Sequence, residues 1–347
     1  MNDTATLWWD TTTESIRYID QTLLPGKYTI AECRSIAQLE RAIKQLEIRG
    51  APALGVAGAF GIALATRVRE KKDLPAFFAE IHHDADILIA TRPTAVNLGW
   101  GIARVLSKIT HAGDIDSIRR IALSEAEAIA REDTACCHAI GRYGSVLIPD
   151  SCTILTHCNA GSLACSSWGT ALGVIRSAID EGKQVRVIAC ETRPLLQGSR
   201  LTAWELIRDG IEVTVITDAS AAHLMRKGAI DAVIVGADRI TRDAVFNKIG
   251  TYMHAVCARH HDIPFYVAAP LSTFDTLKWE RDIIIEERSR DEVTTSGGQV
   301  YVPETADVKN YAFDATPMNL ITAIVTEKGV LHQPITIDSI LSFQSTT

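Results

Sequence analysis

The sequence predicts an α/β protein in which a helical N-terminal domain precedes a Rossmann-like C-terminal domain with a parallel, doubly wound sheet. Three observations predict it. From about Ser35 to Tyr143 apolar residues recur at three- and four-residue spacing, the period of helices with one buried face. After Gly144 short β-branched runs alternate with helical segments, as βαβ units do. A chain of 347 residues, at roughly 100–200 per domain, favours two domains, drawn here as 1–143 and 144–347.

In the first half the periodicity is carried by Leu39, Ile43 and Leu46, and later by Ile118, Ile121, Ala122 and Ile129. Gly50, Pro52, Pro93 and Gly113 divide it into several helices. The uncharged run Ala51–Ala65 contains Gly55, Gly58 and Gly61 and falls short of the roughly 18 apolar residues that suggest a membrane span, so it predicts a tightly packed buried helix. In the second half the strand candidates are Thr153–Thr156, Val185–Ala189, Val213–Ile216, Ala232–Val235 and Phe265–Ala268. Helices are expected near Ser167–Glu181, Ser199–Asp209, Ala219–Lys227 and Lys248–His260. Continuous apolar strands joined by helices predict buried parallel strands with right-handed crossovers.

Composition narrows the function. With 35 Lys+Arg against 42 Asp+Glu the formal charge is −7, and no basic block offers a surface for nucleic acid. Met1–Asp10 carries acids without a basic start or a long apolar stretch, so no secretory signal and no membrane partner are expected, and the expected compartment is the cytoplasm. Eight cysteines are scattered without a CxxC pair, which predicts neither a zinc site nor a disulfide framework. The turn Asn159–Ala164 has one glycine where a dinucleotide fingerprint needs three, and no GxxxxGK[ST] occurs. A sugar phosphate therefore suits this sheet better than a redox cofactor.

Ligands of such sheets bind beyond the carboxyl ends of the strands. The segments there are His157–Ser162, Glu191–Pro194, Thr217-Asp218, Gly236–Arg239 and Ala269-Pro270. Cys158 follows a strand and precedes a glycine turn expected to open into a helix, whose dipole would favour a thiolate. The alternative is a buried structural cysteine. His157, its neighbour on an extended strand, points to the opposite face, which argues against a Cys–His pair. Asp238 follows Val233-Ile234-Val235 and a Gly-Ala step, where poor solvation suits a carboxyl that both donates and accepts a proton. A helix N-cap or an ion pair with Arg239 or Arg242 would equally account for it. Arg49-Gly50-Ala51, Thr91-Arg92-Pro93-Thr94 and Asn247-Lys248 place cations beside helix starts or rigid turns, an arrangement suited to a phosphate, although any single Arg there could be a surface ion pair.

Arg49–Ala53, Thr91–Leu98, Thr156–Gly161, Glu191–Gly198, Gly236–Ile240, Asn247–Thr251 and Pro264–Pro270 resemble, in order and over nearly the whole chain, the blocks of the methylthioribose-1-phosphate isomerase family. The resemblance implies a homodimer without cofactor or metal that isomerises 5-methylthioribose 1-phosphate to 5-methylthioribulose 1-phosphate in methionine salvage. It implies that Cys158 and Asp238 are the catalytic pair. It further implies substrate contacts at Arg49, Gly50, Ala51, Arg92, Gln197, Asn247 and Lys248. One departure is the segment Thr241–Phe246, a residue shorter than in many members and without their glycine, which bears on the group accepted at C5 and leaves 5-deoxyribose 1-phosphate open as a second or even the principal substrate. Related proteins act on ribose 1,5-bisphosphate, for which the surroundings of Trp168 and Phe246 offer no second phosphate grip, or are regulatory subunits of initiation factor 2B, which need not keep the pair.

Overall fold

The computed structural model describes residues 5–69, 73–92 and 96–345. Pro93 and Thr94 of the expected anion loop, Ala95 of its block and the first four residues of the N-terminal stretch lie outside them. The chain forms two compact units, an N-terminal one of Asn2–His138 with Ala160–Gly173, and a C-terminal one of Ala139–Asn159 with Val174–Thr347.

The N-terminal unit opens on an antiparallel sheet that the periodicity did not reveal, β1 (Leu7–Asp10), β2 (Ser15–Ile19) and β3 (Ile30–Cys33). Its strands are four or five residues long, too short for a period of two to stand out. The helices α1 (Ile36–Lys44), α2 (Ala51–Val68), α3 (Leu74–Thr91), α4 (Val96–Ile109) and α5 (Ile115–Ser145) follow. Ser35 caps α1 by accepting a hydrogen bond from the Gln38 amide at 3.3 Å. By length and composition α2 could cross a membrane, yet 83% of it is buried inside the protein. It is the central rod of the helical core, surrounded by Leu39, Phe77, Ile81, Leu88, Leu98 and Ile102. A Cβ at Gly101 of α4 would lie 2.0 Å from the Gly55 carbonyl oxygen, so only glycine lets these two backbones meet.

The C-terminal unit begins within α5, which continues from His138 into Ala139. It contains β4 (Ser151–Thr156), α6 (Ala171–Asp180), whose first residues belong to the other unit, β5 (Gln184–Cys190), α7 (Ala203–Arg208), β6 (Val213–Ile216), α8 (Ser220–Arg226) and β7 (Ala232–Val235). A hairpin of β8 (Arg239–Ile240) and β9 (Ala244–Lys248) precedes α9 (Thr251–His260) and β10 (Phe265–Ala268). After a one-turn α10 (Asp291–Thr294) and a ribbon of β11 (Thr295–Ser296) and β12 (Gln299–Val300), the chain forms β13 (Phe313–Pro317), β14 (Ala323–Thr326), β15 (Gly329–His332) and α11 (Ile337–Ser345). All five expected strands are present. They join β14 and β15 in one sheet of order β15-β14-β10-β7-β4-β5-β6, parallel except for the edge strand β15.

That order positions the site. The chain steps outward from β4 to β5 to β6, then returns to the other side of β4 as β7 and continues outward to β10 and β14. The direction of winding reverses between β4 and β7, and this switch point is where a doubly wound sheet opens a crevice for ligand. Leu155, Val233, Val235, Phe265, Val267 and Ile324 fill the core beneath it.

Three expected helices start late, each for a local reason. The helix expected from Ser167 begins at Ala171, because Gly169 pairs back onto Gly161 in an isolated bridge. The helix dipole expected just after Cys158 is therefore not supplied by α6, which starts thirteen residues further along the chain. The helix expected from Ser199 opens as one π-helical turn, Gly198–Thr202, before α7. Asn247 and Lys248, expected at a helix start, instead close β9.

Candidate active site

Cys158 leaves the end of β4 in the left-handed region, at φ 64°, a conformation that a non-glycine residue keeps only when its surroundings enforce it. Two threonines do so. The Cys158 amide donates to Thr192 Oγ1 at 2.8 Å, and its carbonyl accepts from Thr202 Oγ1 at 2.7 Å. Thr192, fully buried at the end of β5, is itself left-handed at φ 67°. Its hydroxyl donates to the Cys190 carbonyl at 3.0 Å, and its amide donates to Asp218 Oδ1 at 2.8 Å. The Arg193 amide donates to Asp218 Oδ2 at 2.8 Å, so both carboxylate oxygens are engaged. Next to the cysteine, Asn159 Nδ2 donates to Glu205 Oε1 at 2.9 Å and to Thr202 Oγ1 at 3.2 Å. Glu205 and Asp209 in turn pair with the buried Arg176 guanidinium at 2.9 and 2.7 Å. The half-buried thiol thus sits on a turn fixed from both sides.

His157 faces away from that turn, as the strand period requires. Its Nε2 donates to the Ile249 carbonyl at 2.8 Å, which leaves Nδ1 to accept from His254 Nε2 at 3.2 Å. Burial pushes His157 down to about 4 and His254 to about 3, so both rings are neutral near pH 7. Together with Cys190 and Asp218 they form a donor set of the kind that could hold a metal, with ligand atoms within 4.8 Å of one another.

Asp238 begins a hairpin and caps no helix. Its amide donates to the Phe246 carbonyl at 2.9 Å, while Arg239, one of the partners considered for it, pairs with Asp275 at 3.0 Å. The register pairs Arg239 with Phe246 and Ile240 with Val245, and the Asp238 amide, also bonded to Phe246, sits at the hairpin base. The segment Thr241–Phe246 makes its turn at the far end of the hairpin, where the Thr241 amide donates to the Ala244 carbonyl at 2.9 Å. Asn247 and Lys248 are buried on β9. Asn247 Nδ2 donates to Thr251 Oγ1 at 3.0 Å, and Lys248 Nζ lies 4.9 Å from the centre of the Phe313 ring. Asp314, beside them on β13, holds the Gly250 and Tyr252 amides at 2.7 and 3.1 Å, and burial raises its carboxyl to about 6.

Cys158 and Asp238 therefore follow β4 and β7, the neighbouring strands that flank the switch point. Gln197 lies beyond β5 on the same edge, 6% exposed, and its Oε1 has no hydrogen-bond partner among the described residues. A thiol, a carboxyl, an ammonium and two amides at one sheet edge can move protons on a polar, anionic ligand. The other expected contacts belong to the N-terminal unit. Arg49 precedes α2, Gly50 caps it at φ 96° with Ala164 packed where a side chain would sit, and Ala51 starts its first turn. Arg92 is the C-terminal cap of α3, whose Leu88 packs on Gly61 of α2.

The reading of the sequence singled out the proton-transfer candidates but not Thr192, Thr202, Glu205 or His254. Thr192 and Asp218 did lie in strand-end segments marked for attention, and that position was their signal.

Comparison with known proteins agrees with this architecture. Residues 47–333 match the Initiation factor 2 subunit family. A protein of Methanosarcina acetivorans named putative methylthioribose-1-phosphate isomerase is 54% identical over 97% of both chains. The structure of 5-methylthioribose 1-phosphate isomerase from Pyrococcus horikoshii superposes with a TM-score of 0.91 at 41% identity, covering 99% of this chain and 96% of that one. A structure from A. fulgidus described as translation initiation factor eIF-2B, subunit delta, gives 0.87 at 50% identity, covering 97% and 99%. The protein described here belongs to the Initiation factor 2 subunit family.

Proposed function

We propose that this protein is an aldose–ketose isomerase that converts 5-methylthioribose 1-phosphate to 5-methylthioribulose 1-phosphate, with Cys158 and Asp238 as its catalytic pair. The observation that carries the reading is the position of these two residues, at the ends of the two strands flanking the switch point. Relatives named for this reaction, at about half identity over nearly the full length, support it. In this reading Gln197, Asn247 and Lys248, with Arg49, Gly50, Ala51 and Arg92, contact the substrate. The enzyme acts as a cytoplasmic homodimer without a cofactor.

The phosphate on the anomeric oxygen blocks the open aldehyde, so the ring must open within the reaction. The Asp238 carboxyl gives its proton to the ring oxygen as the C1–O bond breaks, and the Cys158 thiolate takes the proton from C2, leaving an enediol phosphate. The thiol then returns a proton to C1 while the Asp238 carboxylate accepts the C2 hydroxyl proton. This yields the ketone and restores both groups. Their protonation states are complementary at each step.

The test is a coupled ketose assay on the purified protein with the methylthio and 5-deoxy sugar 1-phosphates and ribose 1,5-bisphosphate. Turnover of the methylthio sugar with the highest kcat/KM is expected, and its abolition in Cys158→Ser and Asp238→Asn. Wash-out of C2 deuterium into solvent supports the thiol route, and a direct hydride shift would keep all of it at C1. No turnover of any of the three sugars would overturn the enzyme reading in favour of a binding protein.

A further inference from the structure

Resting on the assignment of Cys158 above, we infer that Thr192 and Asp218 are positioning residues of the reaction, a two-step brace that holds the catalytic cysteine in its left-handed turn. The brace runs from the sheet outward. Asp218, after β6, fixes the backbone of β5's exit through the Thr192 and Arg193 amides, at 2.8 Å each. Thr192, so held, turns its hydroxyl to the Cys158 amide at 2.8 Å and spends its own proton on the Cys190 carbonyl at 3.0 Å. With the hydroxyl proton directed to Cys190, Thr192 Oγ1 can only accept from Cys158, so the donor order along the chain is fixed.

The conformational arithmetic requires such a brace. A β-branched residue at φ 67° and a cysteine at φ 64°, following neighbouring strands, are each held in an unfavourable conformation. Neither conformation survives unless the other's hydrogen bond rewards it. The two strained residues stabilise one another, and Asp218 is the fixed point to which both are tied. A relaxed Cys158 would return toward the extended backbone of β4 and carry its thiol away from the position beside β7.

The same neighbourhood contains the metal-like donor set His157, Cys190, Asp218 and His254, but its hydrogen bonds speak for the brace. Both Asp218 oxygens accept from amides, and His157 Nδ1 accepts from His254. The histidine pair ties the residue before Cys158 to Ile249 and so anchors the other face of the turn.

The experiment compares Thr192→Val, which keeps shape and branching without the hydroxyl, with Thr192→Ser, which keeps the hydroxyl, and Asp218→Asn. We expect kcat to fall about 10- to 100-fold in the valine and asparagine variants with KM within about 2-fold, and Ser to stay within about 3-fold of the parent. Alkylation of Cys158 by iodoacetamide, followed by peptide mass, should slow or change its pH profile in Val and Asn and not in Ser. This arm needs no substrate, so it judges the brace even if the proposed reaction fails. Melting curves identify a variant that has merely unfolded, in which case the remaining variants decide. Unchanged kcat and alkylation in Thr192→Val, or equal losses in Ser and Val, would overturn the brace, as would stoichiometric zinc found bound to the purified protein by elemental analysis.

Discussion

Gln197 has a buried amide oxygen with no partner among the described residues, a costly arrangement in a core and a useful one where a substrate hydroxyl arrives. Gln197→Leu should raise KM roughly tenfold, the worth of about one hydrogen bond, with a smaller change in kcat, read from initial rates against the methylthio sugar. A change confined to kcat would remove Gln197 from ground-state binding. At this scale the sequence was informative wherever a β-branched run ended in a polar residue, which is how Cys158 and Asp238 stood out. It marked Thr192 only as part of a strand-end segment and Thr202 not at all, because their hydroxyls act across 34 and 44 residues of chain and need the adjacency of β4 and β5 to have meaning. Glu205 was equally hidden. A buried carboxylate is recognisable only from its partners, here Arg176 and Asn159.

Among the elements, α2 was legible because an uncharged run with glycines three residues apart can only be buried or packed backbone to backbone. Gly101→Ala tests that contact. With the Gly55 carbonyl oxygen 2.0 Å from the new methyl group, α4 must shift, and a loss of about 3 kcal/mol in urea unfolding is expected, the upper end of the usual cost of an overpacked site. A neutral substitution would mean that the helices part easily. The three N-terminal strands were not legible, since strands of four or five residues with two adjacent tryptophans show no sustained alternation. The late start of α9 was also not visible. Ala244–Lys248 is buried throughout, and a short apolar run reads equally as strand or helix until its pairing with β8 and β13 is known.

For the whole molecule, buried ionisable groups set how stability depends on pH, and two kinds oppose each other. His254 is held at about 3, well below its usual 6.5, by burial. Between those values the unfolded chain binds a proton that the folded chain refuses, so this group makes the protein less stable as pH falls below about 6.5. Burial raises Asp133 and Asp314 to about 6 from 3.8, so between these values the folded chain holds protons that the unfolded one has released. Their contribution therefore falls as pH rises from about 4 to about 6. His254→Gln removes one term of the first kind. Relative to the parent, the variant should gain up to about 2 kcal/mol between pH 6.5 and pH 5, measured as the difference in urea midpoints. Parallel pH profiles would refute it. The overall architecture was legible because the change of rhythm near Gly144 is a change from one period to another. The grouping of Ala160–Gly173 with the N-terminal unit was not, since nothing local marks a segment that packs with chain more than twenty residues before it.

The hairpin that joins Asp238 to Asn247 has a consequence for how this chain tolerates change. Asp238 and Asn247 lie at its base, while Arg242 and Asp243 form the tip and rest on Lys278 and Glu280. Length can be gained or lost at the tip without altering the register of the base, so the hairpin works as a length buffer between Asp238 and the pair Asn247 and Lys248. A glycine inserted after Arg242 should lower the melting temperature yet leave kcat within about 2-fold, whereas the same insertion after Phe246 would flip the faces of Asn247 and Lys248 and abolish turnover.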